Sequence, residues 1–455
     1  MKKIKILIEK IKKNDFYNKL LKNFSFATIG EGGASLINLI VIVLLIKLIG
    51  NNGYAILTLS QSYMLIMDGI INLQCWKSVI KYGEECYSKN DMKSLKEYIK
   101  LGTILDVSTA ILGFIVCFFM INVISIIFKW DATLISSAKI FSFVILFHFT
   151  GTATAILRME NKFNLVSIQK IATALLKVIV LFIFIKLYSE ISILNAVIIY
   201  ALADILGNLT LAFMAMYQVH KKLGIKNTIK SNKSPKWKDF TKFTIWTTLS
   251  DVVDIPVQYF DVFIISKLNL ELVSVFKFFK QIVAILSKLT TPLYQAIFPQ
   301  FSSLVANSKK NEGYKLVLKI KKVILKLMIP MSLFIGLTSP VWLKMIFGSL
   351  YANKWYVLTL YLLLQSLALS YTTIHPYFVA LGEVYYSFKY VLISNIVYVI
   401  ISLILVNIIG MTGIVLAYGV QFMIVIYLKK RRIEKILEVN NGKWYFSLCY
   451  WRKSS

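Results

Sequence analysis

Apolar stretches long enough to cross a bilayer recur along the whole chain, and they restrict the folds open to it. Of the 455 residues, 57% are hydrophobic. A helix needs roughly 20 consecutive apolar residues to cross the hydrocarbon core. Backbone polar groups in lipid must be satisfied within the segment, so such stretches fold as helices. The sequence therefore predicts an all-α integral membrane protein with twelve spans, at residues 25–49, 54–76, 101–128, 139–159, 164–188, 191–217, 241–266, 271–300, 318–343, 355–381, 387–409 and 411–428.

Basic residues are distributed unevenly between the two sides of this arrangement. The two termini and the connections on their side contain 39 Lys and Arg, whereas the connections on the other side contain 7. Because lysine-rich connections stay on the cytoplasmic side, both termini are predicted to be cytoplasmic. The net charge of +30 then reflects topology and contact with anionic lipid. We therefore expect no nucleic-acid partner.

Reporter fusions test this topology directly. A fusion after Lys230 or at Ser455 is expected to report the cytoplasm, and a fusion after Asn353 is expected to report the outside. The expectation follows from the charge asymmetry of the connections. An external signal at Ser455 would overturn the twelve-span assignment.

The two halves of the chain repeat each other at an offset of 219 residues. Six spans per repeat give both halves the same orientation, so the sequence predicts two pseudo-symmetric six-helix lobes with a central site between them. The predicted divisions are a basic amphipathic cytoplasmic N-terminus (1–24), a first lobe (25–217), a cytoplasmic linker (218–240), a second lobe (241–428) and a basic, aromatic cytoplasmic tail (429–455).

Polar residues follow one face of the eighth span. Lys277, Lys280, Ser287, Lys288 and Thr291 fall within about 100° of arc. A lysine at mid-membrane costs a few kcal/mol unless its face meets protein or water. The alternative is snorkelling to the headgroups, which suits a lysine near one end of the span. The repeat aligns this stripe with one on the second span, so we predict a water-filled, cationic cavity with the candidate residues Lys277, Lys280, Lys288, Ser287, Thr291, Gln61, Asp68 and Asn72.

Carboxylates follow one face of the seventh span. Asp251, Asp254 and Asp261 lie within about 80° of arc. Because the seventh and eighth spans run antiparallel, we expect Asp261 beside Lys277, Asp254 beside Lys280 and Asp251 beside Lys288. These charges either form fixed ion pairs or exchange partners when a substrate or an ion enters.

Glu31 lies in the first span beside Gly30, Gly32 and Gly33. It is a candidate for holding a coupling cation, and close helix packing through the glycines is an equal explanation of the stretch. The four cysteines lie far apart without ligand spacing, so the sequence predicts neither disulfides nor a metal site. No glycine-rich phosphate loop is present in the sequence, so we expect no cofactor.

Short motifs in a fixed order resemble one family of transporters. These motifs are Gly53-Tyr54, Lys81-Tyr82-Gly83-Glu84, Arg158-Met159-Glu160-Asn161-Lys162-Phe163, Phe260-Asp261-Val262-Phe263-Ile264-Ile265, Phe298-Pro299 and Phe347-Gly348-Ser349-Leu350-Tyr351. Together they resemble the O-antigen and polysaccharide flippases (Wzx) of the polysaccharide transport family. Its superfamily also contains the multidrug and toxin extruders (MATE) and the peptidoglycan lipid flippases. The family's glycine after the seventh span is replaced here by Asn269-Leu270.

The resemblance implies a transporter and not an enzyme. It implies alternating access that moves an undecaprenyl-diphosphate-linked oligosaccharide outward across the bacterial cytoplasmic membrane. The candidate partners are this lipid-linked substrate, membrane lipids, and a polysaccharide polymerase with its chain-length regulator. On this interpretation Lys280 is the middle site for the diphosphate, so Lys280→Ala is expected to stop export without affecting membrane insertion.

Two other functions are compatible with parts of the sequence. An ion-coupled extruder of cationic drugs would line its cavity with carboxylates, as the acidic seventh span could. A membrane glycan polymerase or transferase would need room for chemistry outside the membrane, and the outward connections are too short to provide it. We therefore favour the flippase.

Overall fold

The protein is described here by a computed structural model that covers residues 15–188, 191–223 and 237–437. These ranges are helical, with short connections and no strand among them. The all-α prediction is therefore confirmed. The helices of the first half are α1 (Asp15–Ile71), α2 (Trp76–Ser88), α3 (Met92–Phe128), α4 (Ala132–Leu146), α5 (Gly151–Met159), α6 (Phe163–Leu187) and α7 (Ile193–Leu223).

The second half repeats this arrangement, with an additional interruption near its start. A π-helical turn, Pro256–Phe260, lies between the first two helices of this half. The helices are α8 (Trp237–Val252), α9 (Asp261–Ser266), α10 (Leu270–Ala306), α11 (Lys310–Phe347), α12 (Ser349–Ala352), α13 (Trp355–Ser370), α14 (Ile374–Ala380), α15 (Val384–Ile409) and α16 (Met411–Ile436).

Eight helices in the described ranges are long and apolar enough to cross a membrane, or nine if the pair α4 and α5, bent by 43°, is one span. Helix α1 contains two of the predicted spans, joined at Gly50, where the backbone turns at φ 69°. The predicted seventh span is the interrupted α8–α9 segment, and the eighth is the lysine-bearing α10. Each predicted span thus corresponds to a helix or to a broken helix.

The apolar cores show how the two lobes meet. We call the end of the molecule with the lysine-rich connections the basic end. At the other end a single apolar cluster contains residues of both lobes, including Tyr54, Phe141, Phe276 and Tyr351. Towards the basic end two clusters are separate. The lobes are therefore packed together at one end and have separate cores at the basic end.

Close contact between α1 and α6 depends on glycine. A Cβ added to Gly30 would lie 2.5 Å from Cβ and Oγ of Ser167, which is too close for any side chain. The hydroxyl of Ser167 donates to the carbonyl of Phe26 at 2.6 Å. Because helices in lipid associate through such close packing and interhelical hydrogen bonds, Gly30 has a packing role beside Glu31.

The α8–α9 segment passes from one lobe to the other. Near the basic end the hydroxyls of Thr244 and Ser78 are 2.7 Å apart, and Thr248 donates to the carbonyl of Leu73 at 2.8 Å. At the start of the break, Asn395 of α15 donates to the carbonyl of Val253 at 2.6 Å. Proline has no N–H to continue a helix, so Pro256 accounts for the interruption at this crossing.

Asp106 of α3 joins two broken helices. Its carboxylate accepts from the backbone N–H of Cys75, just before α2, at 2.8 Å. It also accepts from the N–H of Thr152, at the start of α5, at 2.5 Å. Asp106 is 1% exposed. A carboxylate that satisfies two orphan helix N–H groups is well placed near helix N-termini, so Asp106 has a structural role.

Asp106→Ala is therefore expected to lower stability strongly. It leaves two buried N–H groups without an acceptor, and a hydrogen bond to a charged group contributes about 1.5–3 kcal/mol. We expect a loss of about 3 kcal/mol or more, measured as thermal unfolding in detergent. The matched control is Asp131→Ala, which removes a single, partly buried cap bond from Leu134 N at 2.9 Å and should cost about 1 kcal/mol. Equal losses for the two variants would contradict the joining role.

Candidate functional site

A polar cavity of about 520 Å³ lies in the first lobe and reaches α10 of the second. Its walls come from α1, α5, α6 and α7, together with the break before α5. Its acidic, basic and histidine lining residues are Glu31, His148, Arg158, Lys170, Lys177, Asp204 and Lys288.

The lining carries more positive than negative charge. Arg158, Lys170, Lys177 and Lys288 supply four cations, against two carboxylates. A charge inside a membrane protein is strongly disfavoured unless it is paired or faces water. The arrangement therefore suits an anionic group, which would neutralise the excess of two positive charges.

Glu31 holds the two lobes together at this cavity. Its Oε1 lies 3.1 Å from Nζ of Lys170 on α6, and its Oε2 lies 2.9 Å from Nζ of Lys288 on α10. These three side chains are 33–40% exposed, so water and small ions can reach them. An anion entering the cavity would compete with Glu31 for both lysines.

Lys177 and Asp204 form a more secluded pair on the cavity wall. Their charged atoms are 2.6 Å apart and the lysine side chain is 6% exposed. The ammonium also lies 3.5 Å from the ring centroid of Tyr200. Breaking a buried pair leaves an uncompensated charge, so this pair holds α6 against α7.

Asp68 and Asn72 form a polar network next to the cavity. Oδ2 of Asp68 lies 2.7 Å from Nδ1 of His148, and Asn72 donates to Oδ1 of Asp68 at 3.0 Å. Asn72 also donates to the backbone carbonyl of His148 at 2.8 Å. Of these three, His148 is the residue that lines the cavity. Gln61, on the same helix, is half-buried.

The lysines of α10 have different surroundings, although they share one face. Lys288 lines the cavity. Lys280 forms an ion pair with Asp261 of α9 and donates to the carbonyls of Val257 and Gln258, at 3.2 and 2.6 Å. Lys277 is half-buried. Within the stripe, Lys288 therefore faces the cavity, whereas Lys280 joins α10 to α9.

Ser287 and Thr291 complete the predicted stripe on α10. Ser287 accepts a hydrogen bond from Nε2 of Gln365 at 2.7 Å. The Oε1 of Gln365 in turn accepts from the hydroxyl of Tyr418 at 2.5 Å. Ser287 therefore contacts α13 of its own lobe. The side chain of Thr291 lies outside the described residues.

The predicted pairing of the seventh and eighth spans was wrong. Asp261 pairs with Lys280, not with Lys277. Asp251 pairs with Lys77 of α2 at 2.6 Å, not with Lys288. Asp254 lies 3.5 Å from Nδ2 of Asn395, not beside Lys280.

The physical reason is the interruption of the seventh span. A uniform helical period places the three aspartates on one face only if the helix is continuous. The non-helical residues after α8 and the π-helical turn Pro256–Phe260 change that register, since a π turn accommodates an extra residue. Asp251 is thereby left on the segment that contacts the first lobe, and Asp261 on the segment that contacts the second.

The lysines of α6 were not among the candidate residues predicted from the sequence. Lys177 pairs with Asp204, and Lys170 pairs with Glu31. Gln169, Lys170, Thr173 and Lys177 all line the cavity. Their spacing of three and four residues is the same signal that marks α10, so periodicity alone could have identified this face.

The two helical lobes share one apolar core at one end, and a polar cavity in the first lobe reaches α10 of the second. The sequence matches the family described as "Polysaccharide biosynthesis protein" over residues 20–305. The chain belongs to this polysaccharide biosynthesis protein family, because the match covers more than half of its length. No curated protein sequence matches the chain significantly.

Solved structures with the same fold are transporters and a flippase. One is an inward-facing multidrug resistance MATE family transporter of the MOP superfamily, with TM-score 0.71 and 14% identity, covering 90% of this chain and 96% of that one. Another is the lipid II flippase MurJ in an inward closed conformation, with TM-score 0.66 and 18% identity, covering 93% and 94%. The predicted two-lobed fold of this superfamily is thereby confirmed, as is the resemblance stated from the motifs.

A third similar structure is a mutant of the Vibrio cholerae MATE transporter VcmN, with TM-score 0.59 and 14% identity, covering 93% of this chain and 97% of that one. At such identities the likeness is one of fold.

Proposed function

We propose that the protein is a flippase that moves an undecaprenyl-diphosphate-linked oligosaccharide from the cytoplasmic to the outer leaflet of the bacterial cytoplasmic membrane. The observation that carries this proposal is the cationic excess of the polar cavity, which lies in the first lobe and includes Lys288 of the second. Membership of the polysaccharide biosynthesis protein family supports a glycan as the cargo. The oligosaccharide would be a repeat unit of O-antigen, capsule or a similar surface polysaccharide.

The diphosphate is the group that the cavity suits best. Lysine binds phosphate as a point charge and arginine as a planar donor, and both contacts are stronger where water is excluded. Lys170 and Lys288 can exchange their carboxylate partner Glu31 for a phosphate oxygen, because the released carboxylate, 33% exposed, can be solvated by water in the cavity. The remaining polar lining, such as Asn208 and Gln169, offers hydrogen bonds to sugar hydroxyls.

Release of Lys288 from Glu31 gives a route from binding to transport. The contact between these residues joins α1 of the first lobe to α10 of the second. A ligand that competes for Lys288 weakens that joint, and a differential affinity of this kind is what shifts a conformational equilibrium. We infer alternating access in which substrate binding at the basic end loosens the Glu31–Lys288 contact.

Transport in reconstituted vesicles tests the proposal. The purified protein is placed in liposomes with an undecaprenyl-diphosphate-linked oligosaccharide, and its appearance in the opposite leaflet is followed with a membrane-impermeant lectin. A cationic dye is the comparison substrate. Movement of the glycolipid above that in protein-free liposomes is expected. Dye export without glycolipid movement would favour an ion-coupled multidrug extruder instead.

Complementation gives a second measurement in cells. Surface polysaccharide should return when the gene is expressed in a strain that lacks its own flippase and carries matching glycosyltransferases. A polymerase with its chain-length regulator is the expected partner in that setting, since the product of this transporter would be its substrate. Failure across several repeat-unit types, with the protein present in the membrane, would contradict the proposal.

A further inference from the structure

A second cavity, of about 430 Å³, lies on the other side of α5 from the polar one. We call it the apolar groove. It is formed by α3, α5 and α7, and its lining residues are Ile99, Lys100, Thr103, Ile104, Phe149, Thr152, Ala153, Ile156, Ala212, Ala215, Met216 and Val219. Among these residues, Thr103 donates its hydroxyl to the carbonyl of Ile99 at 2.8 Å. The wall of the groove is therefore less polar than its residue composition suggests.

Helix α5 and the break before it lie between the two cavities and present a different face to each. Thr150, Thr154 and Arg158, four residues apart, line the polar cavity. Phe149, Ala153 and Ile156 line the apolar groove. Residues three and four apart share one side of a helix, so this short segment has a polar face and an apolar face of nearly equal length.

The groove opens to the bilayer, and its two ends differ in polarity. Ile104 and Met216, on its edges, are 53% and 57% exposed, which in a membrane means contact with lipid. Lys100 lies near the start of α3, towards the basic end, and Val219 lies near the end of α7. Ala212 lies deeper, and the chain from Ala212 to Val219 rises about 10 Å along the helix. The groove thus has a lysine at one end and apolar side chains over the rest.

We propose that the apolar groove is a docking site for the isoprenoid chain of a polyprenyl phosphate or diphosphate, with the phosphate beside Lys100. This inference rests on the proposed function. A lysine at the headgroup level of an apolar groove complements an anionic lipid. Helix α5 borders both cavities. This favours the lipid-linked substrate over an ordinary phospholipid, because the head of that substrate requires the polar cavity and its isoprenoid chain requires the groove.

The site gives the substrate a first position on the protein, before its head enters the polar cavity. With the isoprenoid chain held against α3 and α7, only the short helix α5 separates the diphosphate from the cationic side chains of the polar cavity. Holding a ligand near its next site converts a bimolecular encounter into a local one. The groove would thereby raise the rate at which a scarce lipid is captured from the membrane.

Photocrosslinking tests this proposal on the full-length protein in nanodiscs. The probe is a polyprenyl phosphate with a benzophenone near the end of its chain, and crosslinked peptides are located by mass spectrometry. Crosslinks to α3, α5 or α7 at the groove are expected. Undecaprenyl phosphate should compete with the probe, and phosphatidylglycerol at the same concentration should not. Equal competition by phosphatidylglycerol would overturn the isoprenoid assignment.

Two variants separate the chain site from the phosphate site. Ala212→Trp fills the groove and should reduce the crosslink yield at least about tenfold, while Lys100→Gln should weaken probe binding about tenfold, as loss of one charge-assisted contact predicts. The matched controls are Leu202→Trp, on an exposed part of α7 outside the groove, and Lys93→Gln, an exposed lysine of α3. The controls should behave as the unaltered protein does.

The result of the crosslinking experiment can be distinguished from the result of the transport assay. Unchanged crosslinking in both Ala212→Trp and Lys100→Gln would overturn the groove proposal even if the protein moves the glycolipid. Thermal unfolding is measured in parallel. If Ala212→Trp does not fold, Lys100→Gln decides the result.

Discussion

Lys280→Ala is expected to reduce the amount of folded protein, and any loss of export should follow from that. The ammonium of Lys280 pairs with Asp261, which is 2% exposed. It also donates to two carbonyls at the π-helical turn. Removal of one partner from a buried ion pair costs about 3–5 kcal/mol, because the other charge is left uncompensated. We expect lower yield from the membrane and a lower unfolding temperature in detergent.

A double variant provides the control for this prediction. Lys280→Ala combined with Asp261→Asn removes the uncompensated charge and should recover much of the lost stability. Lys280→Arg should be intermediate, because the charge is kept while the donor geometry changes. Normal yield and unfolding temperature in Lys280→Ala, together with lost export, would restore the cavity role that periodicity alone predicts for this lysine.

The second large effect is expected at the polar cavity. Lys170→Ala with Lys288→Ala removes two of the four cations, and Glu31→Gln is added so that no carboxylate is left unpaired. Each lysine is more than a third exposed, so we use the lower end of the range for charged contacts, about 1.5 kcal/mol each. Two such contacts correspond to a loss of roughly 100-fold in transport of the lipid-linked oligosaccharide.

The matched control replaces two exposed lysines near the start of α11. Lys309→Ala with Lys315→Ala removes the same number of positive charges at positions away from the cavity. Export by this control should equal that of the unaltered protein. Membrane protein level and unfolding temperature are compared for both variants. A cavity variant with full export at normal protein level would contradict a diphosphate site at Lys170 and Lys288.

These two predictions assign different roles to lysines on the same face of α10. Lys280 stabilises the segment that follows the break in the seventh span, whereas Lys288 joins the lobes through Glu31 and faces the cavity. The distinction matters for alternating access, since the Lys280–Asp261 contact lies within the second lobe, whereas the Lys288–Glu31 contact lies between the lobes. A contact between lobes can be broken and remade during transport without unfolding either lobe.

The sequence determined the class of fold because lipid restricts the backbone so strongly. Twelve apolar stretches can satisfy their polar groups only as helices, and the repeat at 219 residues predicted two similar lobes. The motifs gave the family resemblance that the comparisons confirmed. Helical periodicity also identified Lys288 as a member of a polar stripe, since a charge in hydrocarbon is costly unless it faces protein or water.

Only the tertiary structure decided which stripe faces which partner. The break and π-helical turn around Pro256 move Asp251, Asp254 and Asp261 out of one register, so their partners come from α2, α15 and α10 instead of from α10 alone. Helical periodicity assumes a continuous helix and reports the face of a single element. The pairing of faces depends on where helices break and how they pack, and those are properties of contacts far apart in the chain.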